Sequence, residues 1–229
     1  MKTASLTLLI SILAFGMSVW AQDCSSSYFL TKQGTKIETT SYNKNGKKNG
    51  KSVTTLVSVT QNGAVMEYAL RCESTDSKGE VSTMDFTASC NGNTVSVNMK
   101  GFFPPEMGAS AEGGEVTLEG NDITFPGLMT AGEKLNDGTV TMTMSMGTMT
   151  MKTVMNILNR TVTGQETITT PAGTFDCFKI EYLVETTMMG MKTSAKVRQW
   201  IAKGIGTVRT ENLSAKGDLM AYSEVTAIQ

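Results

Sequence analysis

Polar and apolar residues alternate along most of this 229-residue chain. A period of two places successive side chains on opposite faces of a β-strand. Stretches of this kind run at about residues 35–43, 51–60, 64–74, 80–90, 93–99, 114–124 and 139–146, then at 148–159, 162–170, 174–187, 191–202, 205–213 and 219–227. Between them stand Asn45-Gly46, Asn62-Gly63, Asp76 to Gly79, Asn91-Gly92, Pro171-Ala172-Gly173 and Lys216-Gly217. Each supplies a residue suited to the positive or fixed φ of a tight turn. Strands punctuated in this way predict an antiparallel meander. Such a meander curls, because a flat sheet would leave long edges and a bare apolar face. The expected fold is therefore a single all-β domain, a meander curled into an open or half barrel. At most one short helix is expected, near residues 103–111, where Pro104-Pro105-Glu106 suits a first helical turn. The look-alike turns at 42–47, 76–80 and 214–218 recur at no fixed period, so no solenoid is expected.

One segment escapes the strand pattern. Lys2 precedes a run from Ala4 to Trp20 that is apolar with scattered Ser and Thr, and Val19-Trp20-Ala21 has the small-x-small form of a cleavage site. We expect residues 1–21 to be a signal peptide and residues 22–229 the mature domain. The run is short for a membrane span and ends in a processing site. Gln22 and Asp23 separate Ala21 from Cys24, which argues against acyl attachment. No second apolar run of membrane length follows.

The four cysteines, Cys24, Cys72, Cys90 and Cys177, all lie in the exported part, where disulfides form. A turn at Asp76–Gly79 sets Cys72 opposite about residue 83 and leaves Cys90 on the order of 20 Å further along at strand rise. A bridge needs Cα atoms within about 7 Å, so Cys72–Cys90 is disfavoured. Cys24–Cys90 is the preferred bridge, tying the N-terminus to a strand end. Cys72 and Cys177 are either buried free thiols or a second bridge.

Composition narrows the chemistry. The chain contains no histidine, which excludes Ser-His-Asp and Cys-His nucleophiles and His-ligated metals. Twenty basic residues against 21 acidic ones leave no electrostatic footprint for nucleic acid. Seventeen methionines are the remaining oddity. From Thr139 to Met155 the chain reads TVTMTMSMGTMTMKTVM, with Met142, Met144 and Met146 on one face, and Met149 and Met151 in a set whose parity changes after Gly147. Gly147 must mark a bulge or turn if both sets face the same interior. Three readings compete: flexible core filler, an adaptable apolar cavity, and a soft thioether site for Cu(I). The copper reading requires about three sulfurs converging at a solvent-reachable point, which strand spacing alone does not supply. The cavity reading predicts a lining drawn from Met142, Met144, Met149, Met151, Phe178, Ile180 and Tyr182.

Other constellations are weaker. Glu166, Asp176, Glu181 and Glu185 could serve a carboxylate-dependent hydrolase only if two of them met in a cleft. Asn121-Asp122 and Asn136-Asp137 are too sparse to suggest calcium. No metal ligands, catalytic residues or cofactor are assigned.

The C-terminal third carries TPAGTFDCFKI at Thr170–Ile180, QWIAKGIGTVRTE at Gln199–Glu211 and then GDLMAYSEV. With the Cys24 start, the Tyr42–Lys47 turn, Cys90-Asn91-Gly92-Asn93 and Met99–Phe102, this succession resembles the TapB-like family of small exported bacterial proteins, related to a larger family of domains of unknown function. Cys72 and the methionine density at 142–151 depart from its pattern. The resemblance implies an all-β domain in the periplasm or on the surface of a Gram-negative-type bacterium, without established enzymatic activity and without catalytic residues to carry over. Its family name hints at a tetratricopeptide-repeat protein as partner. The expected function is a non-enzymatic binding or scaffolding domain for an apolar small molecule or an envelope-protein segment, with a Cu(I) carrier and a hydrolase as alternatives.

Overall fold

In the computed structural model the described residues are Cys24, 27–92, 94–102, 115–146 and 148–229. The expected signal peptide, the expected helix at 103–111 and Gly147 lie outside them. Thirteen strands follow in chain order: β1 (Lys36–Asn43), β2 (Lys48–Asn62), β3 (Val65–Asp76), β4 (Val81–Asn91), β5 (Thr94–Val97), β6 (Glu115–Gly120), β7 (Ile123–Pro126), β8 (Gly138–Met146), β9 (Met149–Thr170), β10 (Gly173–Met188), β11 (Met191–Ala202), β12 (Gly206–Leu213) and β13 (Leu219–Ile228). The only helical turn among the named elements is a 3-10 turn at Met99–Phe102. All strands belong to one antiparallel sheet that does not close, with β6 at one edge and β7 at the other.

Those two edges are consecutive in the chain, and only Asn121 and Asp122 separate them. The sheet has therefore curled until one extended segment serves both edges. Its first half, β6, pairs with β8, and its second half, β7, pairs with β5. The pattern at 114–124 read as one strand because the alternation runs through the handover. The reverse holds at 148–170, expected as two strands and found as one. Asn159 takes φ 58° there, and the extra residue bulges β9 without ending it.

Side chains hold the seam where backbone pairing stops. Asn136 accepts from Thr124 N at 2.8 Å and donates to Asp122 O at 2.9 Å, standing in for a missing strand. Asn121 bonds Asp137 O and Thr139 N, and Asp137 accepts from Asn159 N. The two Asn-Asp pairs thus meet, but these side chains serve the backbone. Arg160 is 1% exposed, and its Nη1 donates to Thr124 O and Asn136 O at 3.1 and 2.9 Å. Its guanidinium lies 4.7 Å over the Phe125 ring. A Cβ on Gly138 would fall 2.5 Å from Ile123 Cγ2, so the edges approach only because that residue is glycine.

The inner face carries the main core, including Leu56, Tyr68, Val95, Met99, Val140, Val162, Ile180, Ile201 and Val225. Each such side chain contributes about 1.5–3 kcal/mol on burial. The outer face is laced by ion pairs, across strands and between residues two apart on one strand, running from Glu224 through Arg209, Glu211, Arg198, Glu181 and Lys179 to Glu166. Opposite charges facing across strands contribute about 0.2–1 kcal/mol each. Beneath the Glu166 end of this ladder, Trp200, Cys177, Ala202 and Val208 form a small separate cluster.

Candidate functional site

Cys24 and the residues from Ser27 to Leu30 lie across one end of the half-barrel. Cys24 is bonded to Cys90, with Cα atoms 6.2 Å apart, and Gly204 N donates to Ser27 O at 2.9 Å. One contact reaches β4 and the other the β11–β12 turn, so the segment is pinned at both sides of the opening. Cys72 and Cys177 are free thiols. By alternation Cys72 faces inward beside Leu70, whereas Cys177 faces outward beside Trp200, and no bridge joins them.

Under this segment lies a pocket of about 260 Å³. Tyr28, Phe29 and Leu30 form its lid, and Ile37, Leu70, Phe86, Val97, Ile123, Phe125, Ile201 and Ile205 its walls. Eight strands and the β11–β12 turn contribute, the strands through inward positions of the alternating pattern. The polar lining is sparse, namely Thr39, Thr54, Gln199 and Thr207. Gln199 Nε2 is already engaged with Thr207 Oγ1 at 2.7 Å. Such a surface can hold apolar groups and offers little to a charge. A more polar groove of about 620 Å³ lies next to it, sharing Tyr28 and bordered by Glu166, Asp176, Cys177, Phe178 and Lys203.

The register places all seven sequence-derived candidates on the inner face. Met144 stands opposite Met151, Val140 opposite Met155, and Met142 is buried opposite Thr153. The parity change after Gly147 is the reversal of direction between β8 and β9, which pair up to Met146 and Met149. Phe178, Ile180 and Tyr182 alternate along β10 toward the same interior. None of the seven lines the 260 Å³ pocket. Phe178 borders the polar groove and packs edge-on against Tyr28, with ring centroids 5.6 Å apart. Ile180 is fully buried, Tyr182 packs against the core, and the methionines lie toward the opposite end.

Burial sets the titration of the interior groups. It pushes the Tyr182 hydroxyl up to about 12 and lowers Arg160 to about 10. Burial likewise raises the Cys177 thiol to about 11, so it stays protonated and inert at neutral pH. Glu166 moves the other way, because Lys179 Nζ and Trp200 Nε1 donate to it at 2.9 and 2.8 Å. A hydrolytic general acid needs a raised pKa, and Glu166 has a lowered one. Glu181 and Glu185 are paired with Arg198 and Lys192 on the outer face. Among the described residues no group of three or more His, Cys, Asp or Glu is gathered for a metal.

Sequence reasoning missed Arg160 and the lid. A lone arginine in a Thr-rich strand reads as solvent-facing, and only the bulge at Asn159 turns it inward. The Tyr28-Phe29-Leu30 run was the available signal for the lid.

This chain belongs to the DUF3108-like family, which matches residues 32–225. Its fold is shared with a Bacteroides fragilis protein provisionally described as exported and having a YmcC-like fold, at 21% identity and a TM-score of 0.71, covering 88% of this chain and 98% of that one. A Parabacteroides distasonis protein provisionally described as a lipoprotein aligns at 23% identity and a TM-score of 0.74, covering 91% of this chain and all of that one. No curated protein matches. No helix among the described residues is long and apolar enough to cross a membrane.

Proposed function

We propose that this chain is an exported, non-enzymatic binding domain whose half-barrel holds an apolar group of a small molecule under the Tyr28–Leu30 lid. The observation that carries this reading is the apolar pocket itself, walled by residues of the main core. Its 260 Å³ fall just below the ~300–1,000 Å³ of typical small-molecule sites, which suits one acyl-like segment of a larger ligand. Export is supported by the apolar N-terminal run, by the Cys24–Cys90 disulfide, by the resemblance to TapB-like proteins and by the descriptions of the two structural relatives.

The reading is tested by titrating the full mature chain with dansyl-labelled undecanoic acid. Wild type is expected to bind it saturably with a blue-shifted emission. Ile205→Trp, which fills the pocket from a half-buried position, is expected to weaken binding at least ~10-fold, the equivalent of about 1.4 kcal/mol. Equal uptake by both proteins at an unchanged urea midpoint would overturn the reading. Tight binding of an envelope-protein segment with no uptake of the probe would replace the small molecule by a protein partner.

A further inference from the structure

The tips of the β8–β9 and β10–β11 hairpins lie at the end of the inner face away from the lid, and they carry methionines that neither core nor pocket uses. Met188 faces Met191 across the β10–β11 turn, and Met188 also stands opposite Thr153 of β9. Met151 is two residues from Thr153, which puts it on the diagonal from Met188 and on the same face. Directly opposite residues have Cβ atoms about 4.5–5.5 Å apart, and diagonal neighbours lie about 7–8 Å apart. Met149 extends the same row. The curl of the sheet tilts inward-facing side chains toward one another, so three long, flexible thioethers share one end of the concave surface. That surface is open to solvent, with Met149, Met188 and Met191 60%, 45% and 65% exposed.

A second observation concerns another methionine at the same hairpin tip. Met189 takes φ 51° in the β10–β11 turn, where Asn, Asp or Gly is the favoured choice, and it is 68% exposed. Burial does not account for large apolar side chains at such positions.

We propose that Met151, Met188 and Met191 form a thioether site for Cu(I), with Met149 as a flanking donor. Thioethers are soft and neutral, which selects Cu(I) over hard or borderline divalent ions. Methionine does not titrate, so the site keeps its metal in mildly acidic solution, where thiolate and imidazole sites take up protons and release theirs. The strand register puts the three side chains on one face at a solvent-reachable end, and in the proposed site their sulfurs close on the metal.

The test titrates Cu(I), kept reduced by ascorbate so that Cys24–Cys90 stays intact, into the full mature chain against bicinchoninate. One Cu(I) per chain is expected, with an all-sulfur X-ray absorption signature and the same affinity at pH 7 and pH 5. Met151→Leu, Met188→Leu and Met191→Leu should each weaken binding at least ~10-fold, the loss that even outer-shell changes cause at metal sites. Met220→Leu, exposed elsewhere, and Cys72→Ser should leave it unchanged. Because these methionines are exposed or half-buried, the urea midpoints of the leucine variants should match wild type. Failure to withhold Cu(I) from bicinchoninate would overturn the proposal, as would binding that survives the triple leucine variant or disappears in Cys72→Ser.

Discussion

Arg160 Nη1 donates to the backbone oxygen of Thr124 at 3.1 Å, and through that bond strand β9 grips β7 on the opposite edge of the sheet. The contact converts an open curl into a nearly continuous wall. It also explains a buried guanidinium to which no carboxylate among the described residues is bonded: the acceptors are Thr124 O and the Asn136 oxygens, with Phe125 beneath. Arg160→Met would orphan buried carbonyls at ~1–3 kcal/mol each, partly offset by removal of a buried charge. We expect a net loss of about 2–4 kcal/mol in urea unfolding. An unchanged midpoint would mean the seam does not depend on Arg160.

The lid depends on the Cys24–Cys90 bond, which closes a loop with a sequence separation of 66. Loops of this size lose on the order of 4 kcal/mol of unfolded-chain entropy when bridged, and observed gains run at about 2–4 kcal/mol. The double variant Cys24→Ser, Cys90→Ser should lose stability in that range and bind the dansyl probe more weakly. Equal stability and equal binding would show that the lid is held by packing alone.

Alkaline stability should report on Cys177. Its folded pKa is about 11 against an ordinary 9.0, so above pH 9 the unfolded chain gives up a proton that the native chain keeps. The unfolded state then binds fewer protons, and stability falls as pH rises. Tyr182, at about 12, adds the same trend above pH 10, whereas Arg160, lowered to about 10, opposes it there. The thiol therefore weighs most in the window from pH 9 to 10. Urea midpoints of wild type should drop across it, and those of Cys177→Ala should drop less. A thiol reagent at pH 8 should modify Cys72 in the native protein and reach Cys177 only after unfolding.

Met189 offers a stabilising change. A non-glycine residue in left-handed conformation costs roughly 1–2 kcal/mol, and Gly or Asn suits this turn position. Met189→Gly should raise stability by about 0.5–1 kcal/mol after the added entropy of glycine in the unfolded chain. Destabilisation would show that the Met189 side chain makes a contact worth more than its strain.

The strand pattern was legible because its turns are written in residues with special φ preferences. Gly46, Gly63, Gly79, Gly92, Gly173 and Gly217 all take positive φ at the predicted turns. Hairpin register was enough to disfavour Cys72–Cys90, since Cys72 faces Met84, one residue from the expected partner, and the Cys24–Cys90 bond is the one preferred as a tie from the N-terminus to a strand end. The split at Asn121-Asp122 was not, because a change of partner leaves no trace in alternation. The face was legible and the pocket lining was not. Alternation put Phe178, Ile180, Tyr182 and the methionines on one face, but the pocket walls come from distant strands and from the Tyr28–Leu30 lid, a juxtaposition set by how far the sheet curls.

The space under Tyr28, Phe29 and Leu30 is proposed to hold a ligand in the native envelope. Native mass spectrometry of the intact protein, purified from its own envelope without detergent exchange, tests it most directly. A population heavier than the disulfide-bonded chain by the mass of an apolar or acyl-bearing molecule is expected, lost in Ile205→Trp. A single species at the mass of the bare chain, which also takes up no dansyl probe when it is added, would contradict it.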